Sequence, residues 1–184
     1  YEYFCKNLEN FEKLYTYLED ELSEQLLVAH INGRIQGIDM DATPMGWTDP
    51  QYFLEEFMKY QEYECIMDCG AYFGDTAEEF IKKAPMNVVK DYKVYCWEPD
   101  SENYEKLQEY AKINPSIIPL KYGTYSDAGK SYFNSEFGER ACLDDVGDIE
   151  ILLESIDHIA GDEKVTFIKM DIEGSELEAI KGAK

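Results

Sequence analysis

The stretch that decides the fold is Glu64-Cys-Ile-Met-Asp-Cys-Gly-Ala-Tyr-Phe-Gly-Asp-Thr76. Apolar-leaning residues run to Asp68, and Gly70, Gly74 and Thr76 follow at short intervals. That order reads as a buried strand, a glycine turn and a helix start. A turn of this kind exposes backbone N–H groups at a helix N-terminus and lets a ligand approach the chain closely. The spacing is Asp-x-Gly-x-x-x-Gly, which differs from the G-x-G-x-x-G of dinucleotide folds. By itself it fits a plain turn as well as a cofactor cradle. The second strand-like run, Tyr92-Lys-Val-Tyr-Cys-Trp-Glu-Pro-Asp100, adds Glu98, which stands 24 residues after Gly74. An acid at the tip of a second strand is placed to accept both hydroxyls of a ribose. The two features together suggest a nucleoside cofactor lying across strand tips.

Working outward from this stretch, strand and helix patterns alternate. Strand one spans about 65–68. Thr76-x-x-Glu79 has the form of a capping box for a helix to about Ala84. Strand two spans about 93–97, and Ser101 is placed to cap a helix carrying Tyr104, Leu107, Gln108 and Ala111. Ile117–Tyr122 reads as strand three, with Gly123-Thr124-Tyr125-Ser126-Asp127 as a loop after it. Val165-Thr-Phe-Ile-Lys-Met-Asp171 is a further buried strand, Ile172-Glu173-Gly174 its terminal turn, and Ser175-x-x-Glu178 a second capping box. Alternating βα units imply a parallel, right-handed, doubly wound sheet. Between them, Ser131–Asn134 and Asp148–Leu153 are short strand candidates for a hairpin insertion near the ligand edge. Asp144 and Asp145 are adjacent and read as loop carboxylates rather than a metal pair. Ser155–Ile159 looks like a short helix start, with His158 isolated on it.

Residues 1–60 predict a helical appendage to a domain spanning 61–184. Phe11, Leu14, Tyr15, Leu18 and Leu22 recur at helical spacing. Asp20 or Ser23 is placed to cap a second helix running to about Gly33, with His30 on its surface. Asp41–Asp49 reads as a loop around Pro44, Gly46 and Trp47. Asp49-Pro50 then predicts the start of a third helix carrying Tyr52, Phe53, Phe57 and Tyr60. The Tyr-rich leader is compatible with a lid or a homodimer surface.

The 184 residues suffice for one domain plus such an appendage, and 45% are hydrophobic, with 15 Tyr and 9 Phe. A formal net charge of −22 argues against nucleic-acid binding, which needs clustered Lys and Arg. No apolar run is long enough for membrane insertion, and no signal peptide is seen. The five Cys lack zinc-type spacing; Cys65, Cys69 and Cys96 fall in or beside core strands and read as reduced thiols of a cytoplasmic protein. No residue spacing argues for a metal. The sequence begins at Tyr1 rather than Met, and ends at Lys184 where a further strand is expected. The sheet is therefore expected to be C-terminally incomplete.

Three blocks carry a resemblance to a known family: Asp68-Cys-Gly-Ala-Tyr-Phe-Gly-Asp-Thr76, Trp97-Glu-Pro-Asp100 and Phe167-Ile-Lys-Met-Asp-Ile-Glu-Gly-Ser-Glu-Leu-Glu-Ala-Ile-Lys-Gly-Ala183. They resemble the FkbM-type methyltransferases; the last block is the most specific. The likeness covers roughly 60–184 and, more loosely, the leader around Leu18–Ser23. It implies a Rossmann-like fold, S-adenosyl-L-methionine as cofactor, and O-methylation of a hydroxyl on a sugar, glycan or other small-molecule acceptor. By the same resemblance, Asp68, Gly70, Ala71, Gly74 and Thr76 line the methionine and ribose side. Glu98 and the adjoining Pro99 hold the ribose, Gly123 and Thr124 border the adenine, and Asp171 and Glu173 face the methyl group or the acceptor. Residues two apart on an extended strand terminus face one side, so Asp171 and Glu173 are expected to reach one pocket as candidate bases. Two other classes fit part of the pattern: an NAD-dependent oxidoreductase and a nonenzymatic nucleoside-binding scaffold.

Overall fold

The central strand β1 (Tyr63–Cys69) is buried along almost its whole length, as a strand flanked by parallel partners and covered on both faces must be. The computed structural model describes residues 2–38, 52–55, 57–133, 147 and 149–184. Strand β1 is followed by a helix at Asp75–Lys83, then a strand at Asp91–Trp97, a helix at Ser101–Ile113 and a strand at Ile117–Leu120. Numbered along the whole chain these are α4, β2, α5 and β3, because helices α1 (Glu2–Lys6), α2 (Leu8–Tyr15) and α3 (Glu21–Gln36) precede them. After β3 come β4 (Gly123–Thr124), β5 (Gly129–Phe133), β6 (Ile149–Glu154), α6 (Ile156–Ala160), β7 (Phe167–Met170) and α7 (Glu176–Lys181). The main sheet has the order β3-β2-β1-β7 with every pair parallel. This is the doubly wound α/β sheet that the alternating pattern predicts.

Register brings the strand ends together. Asp68 stands opposite Cys96 on one side and Lys169 on the other; Cys69 stands opposite Trp97 and Met170. Alternation along β1 sends Cys65, Met67 and Cys69 to one face, where they cluster with Trp97, Ile156 and Ala160. Ile66 and Asp68 take the other face. Phe80 of α4 packs edge-on against Tyr92, with ring centroids 5.4 Å apart. Cys65, Cys69 and Cys96 are buried free thiols.

Several local expectations are corrected. Helix α4 starts at Asp75 with Gly74 as its N-cap in the left-handed region, so Thr76 lies inside the first turn and does not cap; Glu79 pairs with Lys83 at 2.6 Å. Asp100, not Ser101, caps α5, its carboxylate accepting the Asn103 N–H at 2.9 Å. Ser175 sits at the cap of α7 without a side-chain bond; Glu176 accepts the N–H groups of Ile172 and Gly174 instead. Gly123 and Thr124, expected in a loop, form β4, because the β6 backbone offers them a parallel partner. The expected hairpin is present as β5 antiparallel to β6, and with β4 it makes a second, three-stranded sheet. Asn134, Asp144 and Asp145 lie outside the described residues.

The chain divides into two compact units, Tyr1–Leu54 and Glu55–Lys184. In the first, Asp20 caps α3 by accepting the Ser23 N–H at 2.8 Å, and Gly37 closes that helix with φ 70°. His30 is an exposed position on α3. The Phe4 and Phe11 rings lie 5.3 Å apart, whereas Leu14, Tyr15 and Leu22 of the predicted apolar stripe are exposed. The third helix expected after Pro50 is not seen in the described residues 52–55 and 57–60, which form turn and coil. Phe53, buried, has φ 54°, a value a helix does not admit. Pro44, Gly46, Trp47, Asp49 and Pro50 lie outside the described residues. No helix among the described residues is long and apolar enough to cross a membrane.

Candidate active site

The site is built where β1, β2 and β7 end side by side. The bend after β1 turns through three positive φ angles: Gly70 at 80°, Tyr72 at 51° and Gly74 at 97°. The Trp97 carbonyl at the end of β2 accepts both the Gly70 N–H (3.1 Å) and the Ala71 N–H (2.9 Å). The next amide, Tyr72 N–H, donates to Glu98 Oε2 at 2.8 Å, and Asp100 N–H donates to Glu98 Oε1 at 2.9 Å. Glu98 is therefore held at the bend rather than turned beneath the sheet.

Glu98 is only 7% exposed. Burial pushes its pKa up to about 7, against the two amide hydrogen bonds, which favour the ionised form. A carboxylate has about four lone-pair positions, and the two amides use one on each oxygen. Two acceptor positions therefore remain, enough for a pair of vicinal hydroxyls.

Gly70 is required by a close approach. A Cβ there would come 2.0 Å from the Asp171 carbonyl oxygen, so any side chain would drive the tip of β7 away. The Asp171 N–H in turn donates to the Cys69 carbonyl at 3.1 Å. Gly74 meets a different neighbour: its absent Cβ faces Tyr110 Cδ1 at 3.0 Å and Leu107 Cδ1 at 3.1 Å, so it also lets α5 pack against the start of α4. Ala71 is fully buried, Thr76 is buried in the first turn of α4, and Pro99 is half-buried beside Glu98.

Asp68 is fully buried. It faces Lys169 Nζ at 3.3 Å, and neither carboxylate oxygen accepts a hydrogen bond. Desolvation raises its pKa to about 6, opposed by Lys169. Gly123 and Thr124 are buried in β4; the Thr124 hydroxyl lies by the Cys69 thiol and has no other polar partner. Asp171 and Glu173 are exposed. Strand β7 ends at Met170 and Glu173 has φ 52°, so the segment is a turn and the expectation that an extended terminus aligns the two carboxylates does not hold. His158 is an exposed helix residue paired with Glu154 at 2.8 Å.

The sequence does not point to the Tyr72 amide or the Trp97 carbonyl as parts of this site; Lys169, which the sequence offers as either a buried ion-pair partner or a surface residue, is the buried partner of Asp68 and also donates to the Gly70 carbonyl at 2.6 Å. Backbone groups carry no sequence signal. Lys169 did carry one, being a lone cation inside an apolar strand. Two clefts, one of about 620 Å³ beside Ser126, Asp157 and His158 and one of about 350 Å³ beside Gln108 and Pro119, include none of the predicted site residues. Among the described residues no cluster of His, Cys, Asp and Glu is arranged to hold a metal ion.

The family model of the methyltransferase FkbM domain matches residues 68–184, which includes all three strand tips. The chain belongs to the FkbM methyltransferase family. Its fold is similar to that of methyltransferase FkbM from Methylobacillus flagellatus, with a TM-score of 0.68 and 28% identity, over 98% of this chain and 45% of that one. It is also 29% identical to the hexuronic acid methyltransferase AglP of Haloferax volcanii, over 66% of this chain and 51% of AglP. This FkbM-family chain thus spans about half the length of the relatives it matches.

Proposed function

We propose that this FkbM-family chain is the cofactor-binding core of an S-adenosyl-L-methionine-dependent methyltransferase that methylates a hydroxyl of a sugar-type acceptor. The observation that carries the reading is the Glu98 carboxylate, fastened to the Tyr72 amide in the glycine bend and retaining two acceptor positions for ribose hydroxyls. The residues fit the cofactor in a second respect. The bend has small residues at Gly70, Ala71 and Gly74, so the backbone is approachable, and it leads into the N-terminus of α4. When bound, the cofactor supplies a methyl group on a sulfonium, a carbon open to in-line attack.

The chain's own residues have three tasks in this reading. Glu98 and Pro99 hold the ribose end, and Gly123 with Thr124 border the base. Gly70, Ala71, Gly74 and Thr76 shape the bend beside the methionine end, over Asp68. Asp171 and Glu173, exposed at the β7 turn, accept the proton that an attacking hydroxyl must lose. Alignment of the hydroxyl with the methyl carbon contributes roughly 7–11 kcal/mol, and proton acceptance roughly 10²–10⁴-fold in rate. The sugar acceptor is supported by the relative named as a hexuronic acid methyltransferase.

Isothermal titration of the folded protein with S-adenosylhomocysteine and with NAD tests the reading. Binding of the first with silence from the second supports it. A folded protein that takes up NAD instead, or that ignores millimolar S-adenosylhomocysteine, overturns it.

A further inference from the structure

Lys169 lies in the middle of β7, 6% exposed, where a cation is costly unless it is paired and hydrogen-bonded. It stands opposite Asp68 in the parallel register, so both side chains leave the same face of the sheet. The ammonium faces Asp68 Oδ1 at 3.3 Å and donates to the Gly70 carbonyl at 2.6 Å. The second bond reaches the site. The Gly70 carbonyl and the Ala71 N–H belong to one planar peptide group. Its N–H end is fixed by the Trp97 carbonyl at 2.9 Å and its C=O end by Lys169. The orientation of this plane sets the direction of the following amide, Tyr72 N–H, which holds Glu98.

We propose that Lys169 is a positioning residue that pins the Gly70–Ala71 peptide, and through it the glycine bend, from the neighbouring strand, with Asp68 as its buried counter-charge. On this account Asp68 acts on the cofactor through Lys169, without touching it. The carboxylate is fully buried with the Lys169 ammonium 3.3 Å from Oδ1, which fits a counter-charge. The bearing on the cofactor rests on the bend being its cradle, as proposed above; the pinning of the bend does not.

The decisive variant is Asp68→Asn/Lys169→Met, which removes both charges together and so avoids leaving one buried charge alone. Three quantities are measured: thermal stability, amide hydrogen exchange at Gly70, Ala71 and Tyr72, and affinity for S-adenosylhomocysteine. The expected result is stability near wild type, exchange at those three amides about tenfold faster or more, and S-adenosylhomocysteine binding about tenfold weaker or more. Wild-type exchange in the bend of this variant overturns the proposal. Should the double variant not fold, Asp68→Asn alone leaves the buried lysine without its counter-charge, and exchange in its bend should be about threefold faster or more. Wild-type exchange in the bend of that single variant overturns the assignment of Asp68. If the bend loosens in the double variant while even the wild type fails to bind S-adenosylhomocysteine, Lys169 keeps its role and the cofactor reading falls.

Discussion

The tips of β2 and β7 both lead into carboxylates at the same edge of the parallel sheet, and the surroundings of those carboxylates differ sharply. At β2, Glu98 is buried, takes two backbone N–H groups, and titrates near neutrality because burial penalises its charge. At β7, Asp171 and Glu173 are exposed on a turn. In the proposed function this contrast separates holding from reacting. A group that must grip hydroxyls in a fixed place benefits from being locked by the backbone. A group that must accept a proton from an incoming acceptor has to be reachable. Both tips nevertheless lean on the bend after β1: the Gly70 N–H donates to the Trp97 carbonyl of β2, and Gly70 has no room for a Cβ beside the Asp171 carbonyl.

The division of labour is tested most severely by Asp171→Asn/Glu173→Gln. In the proposed reaction, methyl transfer to the sugar-type acceptor should fall by about 10²–10⁴-fold, while S-adenosylhomocysteine affinity measured by titration stays near wild type. Loss of cofactor affinity in this variant would erase the distinction between the tips. Gly70→Ala attacks their union. Its Cβ would meet backbone, which cannot step aside, and the φ of 80° adds strain. A loss of about 3 kcal/mol or more is expected in chemical denaturation.

Glu98→Gln should weaken S-adenosylhomocysteine by about 10- to 100-fold. An amide has a donor end, and one end must face the Tyr72 or Asp100 N–H. Titration of Glu98 sharpens the same comparison. Its ionised form is the better acceptor for hydroxyls, so affinity should rise with pH through about 7, by about tenfold per unit below it. The slope should vanish in Glu98→Gln. Folding stability has the opposite sign. Asp68 and Glu98 have pKa values raised to about 6 and about 7, so between about pH 4 and 7 the native state holds protons the unfolded chain has lost. Stability from these groups is therefore present at the acid end of that window and is lost as pH rises through it. The smallest effect belongs to Gly174→Ala at the β7 turn. With φ 100° but open space around it, this glycine should cost about 1 kcal/mol when replaced.

Much of the main sheet was legible because its signals are local. Apolar runs of strand length, separated by helical patterns, leave few arrangements once parallel crossovers must be right-handed. Failures came where a competing partner was distant in sequence. Thr76 resembled a cap, but Gly74 reaches the left-handed region and starts α4 earlier. Gly123 and Thr124 resembled a loop until β6, thirty residues on, supplied a parallel edge. Phe53 fitted an apolar helix pattern, and its backbone is not helical.

Of the candidate site, the sequence alone determined the chemical inventory: a glycine bend, an acid at the end of the second strand, and an acidic turn after the last. Those follow from residue type and short spacing, which the chain carries within itself. Only the tertiary structure decided which carboxylate is held by backbone amides, which is buried facing a lysine and which stays exposed. That choice depends on desolvation and on backbone donors contributed by other strands. Neither is a property of any one segment.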